Sequence, residues 1–131
     1  MKLGELSFFD TASKRMDYLG TRQQVVSANI ANADTPGFKA QETASFSSML
    51  DGTRGGGMQV TDARHIAGSA GPGNLRVSDD AAAWETTMDG NTVVLEQQSI
   101  KSNEITENYR LATQLYRKGH DLLAVAISGL R

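Results

Sequence analysis

Apolar residues recur along two stretches of the chain at steps that alternate between three and four. In the first, positions 9, 12, 16, 19, 23, 26, 30 and 33 hold Phe, Ala, Met, Leu, Gln, Val, Ile and Ala, so Gln23 alone is polar. In the second, positions 105, 109, 112, 116, 119, 123, 126 and 130 hold Ile, Tyr, Ala, Tyr, Gly, Leu, Ala and Leu. Such spacing puts each set on one helical face. It predicts helices over residues 6–32 and 93–129, with no proline inside either. The second would be roughly 50 Å long at about 1.5 Å per residue. Leu111, Leu115, Leu122 and Val125 add a second stripe beside the first. The apolar face of this helix is therefore broader than a two-stranded seam requires.

Between the helices, over residues 33–91, the periodicity lapses and nine of the 13 glycines gather. "FSSML", residues 46–50, reads as one helical turn ending at Asp51-Gly52. "GTRGGG" and "AGSAGPG" read as flexible loops. "NLRV" and "WETTM" read as short strands of a small hairpin, and "DGN", residues 89–91, as the turn that launches the second helix near Val93 or Val94. The expected fold is mainly α, in one domain over residues 1–131. Long N- and C-terminal helices pack as a coiled-coil-like pair. A glycine-rich, largely irregular middle joins them, with room for a short β-hairpin.

Charge sharpens this division. The chain carries a net charge of −2, and the middle holds the surplus, with eight acids and four bases over residues 34–91. That balance works against nucleic-acid binding. No apolar run is long enough to span a membrane, so no membrane insertion is expected. The start, "MKLGELSFFDTASK", has no apolar core segment and no small-residue cleavage site, which predicts no cleavable secretory signal. Cysteine is absent, which excludes disulfides and thiolate chemistry but does not fix the compartment.

Candidate chemistry changes the picture little. His65 and His120 lack the neighbours of a zinc site. "GTRGGGM" lacks the Gly-Lys-Ser/Thr of a phosphate loop, and "GPGNLR" lacks the third glycine of a dinucleotide fingerprint. Asp79-Asp80 reads as a solvated loop, and no spacing singles out a Ser-His-Asp triad. No catalytic, cofactor or metal site is expected. Lys101 lies off both stripes and reads as an exposed charge of little consequence. Tyr109 and Tyr116, seven apart on the stripe, suit helix packing or an interface equally.

One stretch stands out. "SANIANADTPGFKA", residues 27–40, closes the first helix with Asn29 and Asn32 and then a Thr35-Pro36-Gly37 turn. Asparagine near a helix end can bond the last free carbonyls or take the left-handed cap conformation, so a plain C-cap accounts for it. Proline second and glycine third fit a type II turn, with Phe38 anchoring the outgoing chain.

The same stretch, with "RQQVVSANIANADTPGFKA" over residues 22–40, resembles the N-terminal signature of bacterial flagellar axial proteins, the rod and hook group. That pattern falls on Asn29, Ile30, Ala31, Asn32, Thr35, Pro36, Gly37, Phe38 and Lys39. "FSSML", "TDARHI" at 61–66 and "DGNTVVLE" at 89–96 resemble further segments of a proximal-rod member of the group. Val94 stands where that member usually has Asp, so the chain departs from the pattern at a helix cap.

The resemblance implies a structural subunit of the proximal rod of the flagellar basal body. It would self-assemble through its terminal helices into the torque-transmitting drive shaft. It would leave the cytoplasm through the type III export apparatus and reside in the periplasmic rod. Its partners would be other copies of itself, other rod proteins, the FliE adaptor and the MS ring. Met16, Leu19, Val26, Ile30, Ile105, Tyr109, Ala112, Tyr116, Leu123, Ala126 and Leu130 would then form the subunit interface, with the asparagines fixing its register. A soluble helical-hairpin adaptor that binds one partner helix explains the stripes as well, but not the asparagine-turn signature.

Overall fold

The computed structural model describes residues 3–54 and 75–129. The element order is α1 (Leu3–Ala31), β1 (Gln41–Thr43), α2 (Phe46–Arg54), β2 (Val77–Asp79) and α3 (Leu95–Ser128). The fold is mainly helical: α1 and α3 pack as a long antiparallel hairpin, and the short elements gather at its closed end. Leu19, Val26 and Ile105 are buried in the seam with Tyr18, and Phe46, Met49 and Leu75 pack against them. These positions fall on or beside the two stripes, so the 3–4 spacing finds its partner inside the chain. Gln23, the polar exception, bridges the seam by donating from Nε2 to Ser102 Oγ at 3.1 Å.

Towards the open end the seam turns aromatic. The Phe9 ring lies 5.2 Å from Tyr116 and 4.6 Å from His120, centre to centre. Gly119 makes this possible: a Cβ there would stand 2.9 Å from the Phe8 ring and 3.1 Å from Phe9. The glycine that weakens the helix by about 1 kcal/mol thus admits two rings onto its surface.

A two-stranded antiparallel sheet is present, but its strands are not the expected ones. β1 pairs with β2 in the register Gln41↔Asp79, Glu42↔Ser78 and Thr43↔Val77. "WETTM" forms no strand, and of "NLRV" only Val77 does, Asn74 lying outside the described residues. The β1 segment escaped notice because a three-residue strand is too short to show alternation. "FSSML" opens a longer helix than one turn: α2 runs on through Gly52 to Arg54. Ser45 caps it, its Oγ accepting from the Ser48 N–H at 3.3 Å. "GTRGGG" beyond Arg54, "TDARHI" with His65, and "AGSAGPG" lie outside the described residues.

α3 starts where "DGN" predicts. Its N-cap is Val94, in extended conformation with no side-chain hydrogen bond to the helix. Valine has no side-chain acceptor, so the first turn of α3 begins without a side-chain cap.

Candidate functional site

The asparagine-turn signature is a polar buckle at the closed end of the hairpin. Asn29 is buried three residues beyond Val26 on α1. Its Oδ1 accepts from the Gln41 N–H at 2.9 Å, and its Nδ2 donates to the Gln41 carbonyl at 2.8 Å and to Gln98 Oε1 at 3.0 Å. One side chain thus ties α1 to β1 and to the start of α3. Asn32 caps its own helix, donating from Nδ2 to the Ala28 carbonyl at 2.8 Å. Its Oδ1 accepts from Thr35 Oγ1 at 3.2 Å.

Pro36 and Gly37 sit at the corners of the expected type II turn. Gly37 has φ +72°, and the Phe38 N–H donates to the Thr35 carbonyl at 3.2 Å. Only glycine, or asparagine with some strain, takes that backbone conformation readily. Gly37→Val is therefore expected to lower stability by about 1–2 kcal/mol more than Gly37→Asn. Urea unfolding followed by circular dichroism decides it, and equal midpoints would remove the turn from the argument.

Asn91 completes the buckle from the other side. Its Nδ2 lies within 2.9 Å of the carbonyls of Asn32, Ala33 and Thr35, so it serves the free C-terminal end of α1. Its Oδ1 accepts from the Val93 N–H at 2.7 Å. The backbones also run together here: the Gly37 N–H donates to the Asp89 carbonyl and the Thr92 N–H to the Phe38 carbonyl. Lys39 Nζ donates to the Gly90 carbonyl at 3.0 Å. Helix end, turn and helix start are one hydrogen-bonded unit.

Beside the buckle lies a chain of charges. Lys101 Nζ sits 2.8 Å from Glu42 Oε2 and 2.6 Å from Asp80 Oδ2, while Arg22 Nε sits 3.1 Å from Glu42 Oε1. The Asp80 side chain is only 5% exposed, and those of Lys101, Arg22 and Glu42 are largely covered. Burial alone would push the Glu42 carboxyl up. Hydrogen bonds from Arg22 and Lys101 outweigh it and hold the group down to about 2, from 4.5. Burial works against the charged Lys101 too, yet Asp80 and Glu42 raise it. The sequence reading of Lys101 as a bland surface charge is therefore wrong. It is the cation that fastens both strands to α3.

The expected interface residues divide. Leu19, Val26, Ile105 and Ala112 are buried under the chain's own elements, which leaves them no surface for a neighbouring subunit. Met16, Tyr116 and Leu123 are half-buried, and Tyr116 packs on Phe9. Ile30, Tyr109 and Ala126 are exposed, and Leu130 lies outside the described residues. Asn29 is likewise engaged within the chain, by Gln41 and Gln98. The outward apolar row is the second stripe: Leu111, Leu115, Leu122 and Val125 are all exposed, the last two by 64% and 66%.

Sequence reasoning missed Gln98 and Asn91 as structural partners. Gln98 carried a signal, for it stands seven residues before Ile105 and extends the inward stripe with a polar side chain. Among the described residues, no group of three or more His, Cys, Asp or Glu is placed to hold a metal, and no helix is long and apolar enough to cross a membrane.

Residues 9–39, most of α1 with the whole turn, match the family model described as "Flagella basal body rod protein". Similarity extends well past that segment. The chain is 32% identical to flagellar basal body rod protein FlgB of Agrobacterium fabrum over 93% of both chains. It is 31% identical to FlgB of Cereibacter sphaeroides over 83% of this chain and 84% of the relative. With FlgB of Yersinia enterocolitica it shares 42% over 59% of this chain and 61% of the relative. The chain belongs to the FlgB family of flagellar basal body rod proteins.

Proposed function

We propose that this chain is a structural subunit of the proximal rod that self-assembles through its terminal helices and helps transmit torque. Its partners are further copies of itself, other rod proteins, and the FliE adaptor at the MS ring. It reaches the periplasmic rod through the type III export apparatus without a cleaved signal. One observation carries this reading beyond family membership: the exposed row of Leu111, Leu115, Leu122 and Val125 on α3. An apolar row of this length on a single helix marks a surface that another chain covers. The buried seam holds the hairpin together, and the outward row remains for neighbours.

Leu122→Asp tests it, introduced into a strain lacking this chain. The variant should fold, because the side chain touches solvent, yet in the rod each copy would have to desolvate an unpaired carboxylate or take up a proton. Swimming in soft agar should be lost, with basal bodies in electron micrographs lacking complete rods, while immunoblots still find exported chain. Complete rods and normal swimming would remove the row from the interface. The adaptor alternative requires intact basal bodies for every variant.

A further inference from the structure

Except at Glu107 and Leu115, the outward row of α3 is complementary to its own reverse. It runs Ile100, Glu104, Glu107, Leu111, Leu115, Lys118, Leu122, at steps of 4, 3, 4, 4, 3 and 4, and every member is exposed. Steps averaging about 3.67 keep such a row close to the helix repeat of about 3.6, with a slight right-handed drift. Turned end for end about Leu111, it brings Ile100 opposite Leu122, Glu104 opposite Lys118, and Leu111 opposite itself. Glu107 falls opposite Leu115, one turn from the same Lys118. We propose that two copies of this chain pair in solution through α3, antiparallel, about a two-fold axis at Leu111.

Charge selects this arrangement. A parallel pair in register would set Glu104 on Glu104 and Lys118 on Lys118, which is unfavourable. The charges also lack sufficient reason within the chain. The last turn of α3 holds no base, so Lys118 and its neighbour Arg117 are too far from the helix end to serve its dipole. Neither forms an ion pair with a described residue, and Glu104 offers only Oε1 to Arg22, at 3.6 Å. The pair covers the row that the rod reading assigns to assembly. A paired subunit is therefore withheld from the rod until it separates. That consequence rests on the rod reading, whereas the pairing does not.

The test uses the purified full chain. It has no cysteine, so each introduced thiol is unique. Leu111→Cys should oxidise to a disulfide-linked dimer. Leu122→Cys alone should not, because its two copies would lie about 33 Å apart along the helices, but mixed with Ile100→Cys it should cross-link. In sedimentation velocity, Glu104→Lys and Lys118→Glu should each weaken the dimer about tenfold or more, since the axis counts every pair twice. The double swap should restore it, and a mixture of the two single variants should form mixed dimers. A chain that stays monomeric at all concentrations overturns the proposal. So does cross-linking of Leu122→Cys to itself, or indifference to the swaps. Any of these leaves the rod reading standing. Normal swimming by Leu122→Asp cells, with the wild-type dimer present, removes the rod reading and leaves the dimer.

Discussion

Lys101→Asp is expected to lower folding stability by about 2–4 kcal/mol, enough to unfold a marginal domain. The substitution removes the cation between Glu42 and Asp80 and sets a third carboxylate beside them. Asp80 is nearly sealed from water and would be left without a counter-charge. The figure lies below that of a fully buried pair because Glu42 and Lys101 keep some contact with solvent. Arg110→Asp, at an exposed position on the same helix, should change stability by less than about 0.5 kcal/mol. Urea unfolding of both variants, followed by circular dichroism, decides between a strut and a decoration; equal midpoints would make it a decoration. The network also gives a pH signature. Because the Glu42 carboxyl is held down to about 2 from 4.5, its contribution is complete above 4.5 and is lost as pH falls towards 2. Lys101→Asp should flatten that acid slope.

Asn29→Ala is expected to cost about 2–3 kcal/mol. Three hydrogen bonds vanish together, two of them to the Gln41 peptide and one to Gln98, and a small cavity replaces the amide. Asn29→Asp should be nearly as harmful. It keeps an acceptor for the Gln41 N–H but turns a carboxylate towards two oxygens that need a donor. Asn32→Ala provides the contrast, since its bonds are local to the exposed end of α1 and replacement should cost about 1 kcal/mol. Calorimetric unfolding of the three variants gives the order. A loss under about 0.5 kcal/mol for Asn29→Ala would show that β1 is held by other means.

Both expectations concern residues whose partners are distant along the chain, and this marks the limit of what the sequence reveals. The helices were legible because their evidence is local: an apolar residue every third or fourth position implies a face wherever the partner lies. The Pro-Gly turn was legible because Gly37 needs a backbone conformation that other residues resist. The stripe did not say which surface would cover it. Leu19 and Ile105 lie on it, and α1 and α3 cover them mutually. Lys101 looked isolated because Glu42 and Asp80 lie far off in sequence, one on and one just past strands too short to show alternation. Asn29 looked like a cap because its partners Gln41 and Gln98 become neighbours only once the hairpin closes.

The placing of polar ties along the hairpin has a mechanical consequence. Asn29 to Gln98, Gln23 to Ser102 and Arg22 to Glu104 all cross between α1 and α3 in the half nearest the turn. In the other half, among the described residues, the helices meet through Phe9, Tyr116 and His120, with a weak Thr113–Met16 contact. Directional hydrogen bonds resist sliding, whereas the edge-on and tilted ring contacts are weaker ties, worth about 0.5–1.5 kcal/mol beyond their burial. The protein resembles a pair of tongs riveted at one end. Twist or shear applied along the helices is absorbed at the aromatic tips, and the rivet keeps its alignment while the blades give.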